Sequence, residues 1–120
     1  MEKTDFSDED LAYIKNIATV FSQKWTMKIV LKLNSDGDSG MGFNELMKNL
    51  DSISAAVLSS RLKILQKWGY LEREVRTGPP TRTSYRLSMK GRDLIKVANF
   101  VLAHRGKTRV GTEMLNNTSF

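Results

Sequence analysis

The sequence predicts a single domain that is mainly α-helical and carries one small β-hairpin. Apolar residues recur at helical spacing in five segments of the 120-residue chain. They alternate with period two in "YLEREV" and "TSYRL", which flank the glycine- and proline-containing connection "RTGPPT". We expect the domain to occupy residues 1–105, and residues 106–120, which are polar and lack periodicity, to form a flexible tail.

The first and last helices have unusually wide apolar surfaces. The first begins after Ser7, which forms a capping box with Asp10, and ends near Ser22. The last begins after Ser88 and runs through His104. Apolar residues cover about half the circumference of each helix or more, which is wider than the stripe of an ordinary surface helix. Each terminal helix therefore needs two packing partners.

Three further helices, a loop and the hairpin lie between the terminal helices. The segment "KWTMKIVLKL", residues 24–33, predicts a helix. "NSDGDSGMG" has turn-forming residues at almost every position and predicts a loop. A short helix over "FNELMKNL" ends at "DS", and a new helix begins near Ser54. The buried side of the helix over residues 24–33 is predicted to consist of Trp25, Ile29, Val30 and Leu33.

The helix "SAAVLSSRLKILQKW" is the most informative element. Leu58, Leu62 and Leu65 predict its buried stripe, and Gly69 follows where a left-handed residue ends a helix. The opposite face combines small and hydroxylated residues with lysines, which suits insertion into a nucleic-acid groove. The alternative is a solvated face without a ligand. The residues of this helix that are predicted to approach DNA are Ser54, Ala55, Ala56, Ser59, Ser60 and Lys63.

The hairpin has a stiff, basic tip. Pro79 and Pro80 fix their own backbone angles, so the tip loses little further entropy when it docks. Arg82 lies beside this tip, with Arg76 and Arg86 on the flanking strands, and these arginines are predicted to meet the DNA backbone or minor groove. The alternative is that these arginines only keep the hairpin soluble.

The order of elements, four helices, a hairpin and a final helix, is that of a helix-turn-helix with a β wing. The predicted fold class is mainly α with a small β wing: a winged helix-turn-helix with extra N- and C-terminal dimerisation helices. The charge distribution agrees. Residues 1–50 contain 6 Lys/Arg and 8 Asp/Glu (net −2), whereas residues 51–110 contain 13 and 4 (net +9). This imbalance favours an anionic partner, with nucleic acid first; the alternative is a solvated basic face without a partner.

The chain also resembles the HxlR-type winged-helix transcription regulators. The family pattern combines a Lys-Trp helix, an F-x-E-L helix, an I-S-x-x-V-L-x-x-R-L recognition helix and a PP…Y-x-L-T-x-x-G exit from the wing. The resemblance covers roughly residues 8–104, and the combined spacing is specific. The matching segments are "KWTMKIVLKL" (24–33), "GFNEL" (42–46), "ISAAVLSSRLKILQKWGYLER" (53–73) and "PPTRTSYRLSMKG" (79–91).

The chain departs from the family pattern in several places. It has no cysteine, so the cysteine-based redox or aldehyde sensing known for some members cannot operate in it. Gly42 replaces an arginine that members often carry before the phenylalanine of F-x-E-L. This replacement removes one expected contact with the DNA backbone. The Gly-Gly pair before Lys-Trp and the tryptophan near the end of the last helix are absent as well.

The resemblance implies a homodimer joined through the terminal helices. The residues point the same way, because a single domain of this size can bury only one apolar stripe of each terminal helix. A monomer with a ligand pocket is the alternative. The residues predicted for the dimer interface are Tyr13, Ile14, Ile17, Phe21, Ile95, Ala98, Val101 and Leu102.

Other classes of function have little support in the residues. Ser59 and Ser60 have no histidine nearby in sequence, since His104 lies on a different helix, and no phosphate-binding loop is present. We therefore expect no enzymatic activity, metal or cofactor, and no particular effector is indicated. The acidic start and the lack of a membrane-spanning apolar run predict a cytoplasmic protein without membrane contact. The expected partner is a pseudo-palindromic DNA operator; the alternative is a winged-helix module for protein or RNA contacts without its own operator.

Overall fold

The computed structural model describes residues 2–37 and 39–106. The predicted fold class, mainly α with a small β wing, is confirmed. None of the helices in these ranges is both long and apolar enough to cross a bilayer. The predicted tail lies outside the described residues, apart from residue 106. In chain order the elements are α1 (Asp8–Ser22), α2 (Thr26–Ser35), α3 (Phe43–Asn49), α4 (Ala55–Lys67), β1 (Leu71–Arg76), β2 (Arg82–Leu87) and α5 (Met89–Ala103).

Serine side chains begin three of the helices. The Ser7 hydroxyl accepts a hydrogen bond from the Asp10 amide at 3.0 Å, and the Asp10 carboxylate accepts one from the Ser7 amide at 3.0 Å, which completes the predicted capping box. Ser54 and Ser88 cap α4 and α5, because their hydroxyls accept from amides three residues further along. A cap of this kind contributes about 1 kcal/mol to the stability of a helix.

The second helix begins later than the sequence predicts. Trp25 adopts a φ of 81°, a left-handed conformation that cannot continue a helix, so α2 starts at Thr26 rather than at Lys24. The buried Thr26 hydroxyl secures this junction, since it lies within hydrogen-bond distance of the carbonyls of Val20 and Gln23. The Trp25 side chain is half-buried, whereas the sequence predicts it on the buried side of the helix.

The core lies where α2, α3 and α4 meet the hairpin. The predicted leucine stripe of α4 is inside it, with Leu58 and Leu65 fully buried and Leu62 nearly so. Burial of a leucine side chain contributes roughly 1.5–3 kcal/mol, so the stripe fixes which face of α4 points inward. The other buried apolar residues are Val20, Ile29, Val30, Leu33, Met41, Leu46, Leu50, Ile53, Tyr70, Leu71, Leu87 and Leu94.

The hairpin is tied to the helical body by a short backbone bridge. β1 and β2 pair antiparallel, with Leu71 opposite Leu87 at the base and Arg76 opposite Arg82 at the tip. Met41, in the loop after α2, exchanges two backbone hydrogen bonds of 2.8 and 2.7 Å with Tyr85. The sequence predicts this loop but not its pairing with β2. The bridge holds the start of α3 beside the hairpin.

The first turn of α5 packs directly on the backbone that joins α4 to β1. A Cβ atom on Gly91 would lie 2.1 Å from the Tyr70 carbonyl oxygen. That carbonyl also accepts a hydrogen bond from the Ser88 amide at 3.1 Å, so it is held in place. Glycine at this position therefore allows α5 to dock at close range.

We expect Gly91→Ala to lower the free energy of unfolding by about 3 kcal/mol, the upper end of the usual cost of overpacking. Alanine is a better helix former than glycine by about 1 kcal/mol. A lower stability of Gly91→Ala would therefore show that the close contact with the Tyr70 backbone dominates. Gly42→Ala is the matched control: its Cβ would lie 3.4 Å from the Thr83 carbonyl, and its φ is −77°. There only the preference at a helix start changes, by about 1 kcal/mol or less. Urea titration measures both variants, and equal midpoints would contradict the docking argument.

Candidate nucleic-acid interface

The face of α4 opposite the leucine stripe is open to solvent. Ala55, Ala56, Ser60 and Lys63 are exposed, and Ser59 is half-buried at the edge of this face. The small side chains lie in the first turns of the helix, and the lysine lies further along. The described fold thus makes these predicted contact residues accessible from one side of the domain.

Ser54 differs from the other predicted contact residues because it caps α4. Its hydroxyl oxygen accepts a hydrogen bond from the Val57 amide at 3.1 Å. A hydroxyl group has one proton and two lone pairs, so the cap leaves the proton available to a phosphate oxygen. A structural role and a contact role are therefore compatible at this position.

Two of the three predicted wing arginines are engaged by glutamates of β1. Arg76 Nε donates to Glu74 Oε1 at 2.8 Å, and Arg86 Nε donates to Glu72 Oε2 at 3.0 Å. Arg86 Nη1 also lies 3.6 Å from Glu74 Oε2. The hydrogen bond from Arg76, together with its charge, lowers the pKa of the Glu74 carboxyl. These pairs were not predicted, although the period-two spacing of the glutamates places them on the arginines' face of the hairpin.

Arg82 has a different environment from the other two arginines. It is exposed beside the tip, and within residues 2–37 and 39–106 no acidic side chain lies at ion-pair distance from it. It stands opposite Arg76 across the hairpin, where like charges repel. The Arg82 guanidinium is therefore available to an anionic ligand.

The terminal helices expose apolar side chains to solvent. Ile17 and Ile95 are half-buried because they pack against the core. Leu11 and Phe100 were not predicted as interface residues, yet 52% and 66% of their surfaces are exposed. Of the remaining residues predicted for the dimer interface, about half of the surface is exposed at Tyr13, Ile14, Val101 and Leu102, whereas Phe21 and Ala98 are half-buried.

An apolar groove lies between the end of α1, α2 and the second half of α5. Its volume is about 510 Å³. Residues of all three helices line it, including Leu31 of α2, together with Trp25 at the junction before α2. The predicted interface residues on this groove are Phe21, Ala98, Val101 and Leu102. The groove thus gathers four of the predicted interface residues, whereas Tyr13 and Ile14 line a separate depression with Phe6.

Together these features define a class of protein, the winged helix-turn-helix proteins, in which an exposed helix face and an adjacent hairpin form a DNA-binding surface. The chain belongs to the HxlR-like helix-turn-helix family, whose sequence profile matches residues 20–111. This match confirms the resemblance seen in the sequence motifs. We refer to α4 below as the recognition helix and to the hairpin β1–β2 as the wing.

Relatives and solved structures agree with this assignment. The chain is 33% identical over 78 residues to YvaP of Bacillus subtilis (strain 168), an uncharacterized HTH-type transcriptional regulator; this covers 65% of the chain and 69% of YvaP. A structure described as a MarR-family transcriptional regulator from Enterococcus faecalis V583 is similar with a TM-score of 0.71 and 25% identity, covering 95% of this chain and 98% of that one. A structure described as a possible HxlR family transcriptional factor from Thermoplasma volcanium GSS1 is similar with a TM-score of 0.60 and 26% identity, covering 85% and 83%. The chain is therefore a transcriptional regulator of the winged helix-turn-helix type.

Proposed function

We propose that the chain regulates transcription as a homodimer that binds a pseudo-palindromic DNA operator. In this proposal the recognition helix enters the major groove and the wing lies on the adjacent backbone or minor groove. The observation that carries it is the exposed face of α4, where small and hydroxylated side chains precede a lysine on the side away from the leucine stripe.

The recognition helix has room to approach base edges. Ala55 and Ala56 add little bulk to its first turn, so the helix can lie deep in the groove. The hydroxyls of Ser59 and Ser60 can donate and accept hydrogen bonds at base edges. Ser54 at the helix start and Lys63 further along are proposed to meet phosphates, which set the register of the helix on the duplex.

The wing arginines are proposed to contribute unequally. Arg82 is the proposed contact to a phosphate or to a narrow minor groove, because its donors are available. Arg76 and Arg86 are also proposed to face the duplex, but their ion pairs with Glu74 and Glu72 offset part of their charge. Each must exchange a glutamate for a phosphate oxygen, so their net contribution is expected to be smaller.

The homodimer is proposed from the apolar surface of α1 and α5. Both helices contribute side chains to the groove and carry exposed apolar residues, and apolar surface gathered in this way marks an interaction site more often than scattered single residues do. Pairing of two copies would bury this surface. A two-fold dimer imposes two-fold symmetry on its DNA contacts, which is why the operator is proposed to be pseudo-palindromic with half-sites about one helical turn, or a small multiple of it, apart.

No metal, cofactor or enzymatic step enters this proposal. The named relatives are regulators of transcription in prokaryotes, so the proposed place of action is the cytoplasm, where prokaryotic DNA lies. The proposed ligand is duplex DNA rather than a membrane surface.

Selection of bound duplexes from a random pool tests the proposal directly. We expect an enriched sequence with two related half-sites. A protein that enriches no sequence would instead support a winged-helix module for protein or RNA contacts, without its own operator.

Sedimentation at micromolar concentration is expected to show a species of twice the 13.6 kDa chain mass. Val101→Asp should shift it to the monomer, because the proposed interface would bury an unpaired charge at a cost of several kcal/mol. Met89→Asp is the control, since this residue is 86% exposed at the other end of α5. A wild-type monomer under these conditions would contradict the proposed dimer.

Ser60→Glu and Ala56→Glu are expected to abolish binding to the selected duplex. Each places bulk and a negative charge against DNA, while the fold is retained because neither side chain belongs to the core. Gln66→Glu makes the same change of charge at an exposed position nearer the end of the helix and should bind almost as wild type does. Fluorescence anisotropy on the selected duplex measures all three. Wild-type affinity for Ser60→Glu would mean that another face of the domain meets the groove.

Arg82→Ala is expected to weaken specific and non-specific duplexes by similar factors, because a phosphate contact carries no sequence information. The dependence of log affinity on log salt should become less steep by about one unit per wing engaged. Arg86→Ala, which removes an arginine already paired with glutamates, is the matched comparison and should change the slope less. A larger loss on A·T-rich flanks would indicate minor-groove contact by Arg82. If affinity and slope were unchanged on every duplex, the wing would not touch DNA.

A further inference from the structure

Arg61 belongs to the I-S-x-x-V-L-x-x-R-L segment, but the proposed DNA contacts do not include it. It lies on the recognition helix at the edge of the leucine stripe and is half-buried. Its Nε donates a hydrogen bond of 2.9 Å to the backbone carbonyl of Lys24, 37 positions earlier in the chain. Its Nη1 lies 3.4 Å from the hydroxyl oxygen of Ser60. One guanidinium group thus joins the recognition helix to the junction between α1 and α2 and to a proposed base-contacting side chain.

The junction at residues 23–26 provides a fixed point for this contact. Trp25 has a left-handed backbone conformation, so the chain changes direction between α1 and α2. The Lys24 carbonyl takes no part in the hydrogen bonds of either helix. Among the described residues no backbone amide donates to it, and Arg61 supplies its donor. The buried hydroxyl of Thr26, the residue after Trp25, lies within hydrogen-bond distance of the Val20 carbonyl. It therefore holds the start of α2 against the end of α1. Arg61 therefore connects α4 to a part of the chain that is itself anchored in the core.

The leucine stripe alone does not define the position of α4 closely. Apolar burial is non-directional, so a helix held only by leucines can rotate or slide slightly at little cost. A hydrogen bond has a preferred distance and angle, and a charged donor makes it stronger. The guanidinium is planar and presents donors in fixed directions, which suits it to hold two acceptors at once.

We infer that Arg61 is a positioning residue for DNA recognition. It sets the rotation and the axial position of α4 against the α1–α2 junction, and with them the direction in which Ser60 enters the major groove. This inference rests on the proposed function, because it concerns how the same helix reads DNA. It assigns Arg61 a role in sequence discrimination without a contact to DNA.

Two other roles of Arg61 predict different measurements. A phosphate contact would add to the salt dependence of binding and would help all duplexes alike. A purely structural role would lower the free energy of unfolding but leave the ratio of specific to non-specific affinity unchanged. A positioning role lowers that ratio and leaves the salt dependence as in wild type.

The test compares Arg61→Met, Arg61→Lys and Lys63→Met on the selected duplex and on an unrelated duplex of equal length. Methionine retains an unbranched, largely apolar side chain but has no donor. Arg61→Met should therefore lose up to about tenfold in specific affinity, because DNA binding must then supply the orientation of α4 that one charge-assisted hydrogen bond maintains in the free wild-type protein. Arg61→Lys retains the charge but cannot hold both acceptors with a planar fork, and it should lose specific affinity as well. Both variants should keep the wild-type salt slope and non-specific affinity. Repeated selection with Arg61→Met should give relaxed base preferences.

Lys63→Met is the matched control, because it removes a charge from the exposed face of the same helix. It should reduce the salt slope by about one unit per copy and keep the base preferences. Urea titration first establishes that each variant is folded under the conditions in which binding is measured. A change in affinity then does not reflect loss of the fold. An unchanged ratio of specific to non-specific affinity in Arg61→Met, or a salt slope reduced by that variant and restored by Arg61→Lys, would overturn the positioning role alone. A wild-type protein that prefers no duplex would overturn the proposed function and this inference together.

Discussion

The burial of three leucines on one side of α4 is the constraint on which the rest of the arrangement depends. Once Leu58, Leu62 and Leu65 are inside, the helical period places alanines, serines and lysines on the outside. The same burial places the end of α4 where β1 must begin, and the glycine in the first turn of α5 then packs on that connection. The burial of the leucine stripe thus determines the approximate placement of the exposed face, the wing and the last helix.

Features whose cause lies a few residues away could be predicted from the sequence, whereas features that depend on distant contacts could not. The serine caps of α1, α4 and α5 depend on neighbours three residues away, so they can be predicted from the sequence. The left-handed Trp25 and the pairing of Met41 with Tyr85 depend on contacts made elsewhere in the fold. The Arg61 hydrogen bond spans 37 residues, and no short pattern encodes its partner. From the sequence, the candidate contact residues could therefore be proposed as a list, but the hydrogen bonds and ion pairs that hold them in the fold could not.

The wing shows that a count of positive charges overestimates the charge available to an anionic ligand. The basic half of the chain includes Arg76 and Arg86, yet both sit in ion pairs with Glu72 and Glu74. Exposed pairs of this kind contribute little to stability, so they can exchange partners at small cost. Their effect is to limit general attraction to any polyanion.

The same alternation of glutamate and arginine has a consequence for self-association. Within the described residues β1 pairs with β2 on one side only, so its outer edge presents free backbone amides and carbonyls. Such an edge is a template for a strand from another molecule, and exposed apolar edges promote aggregation. Here the edge carries Glu72, Arg73, Glu74 and Arg76, whose side chains keep water on the backbone and oppose close approach of a second hairpin. The polar residues of this edge thus disfavour open-ended stacking through the sheet, so the wing does not compete with the association that we propose through the terminal helices.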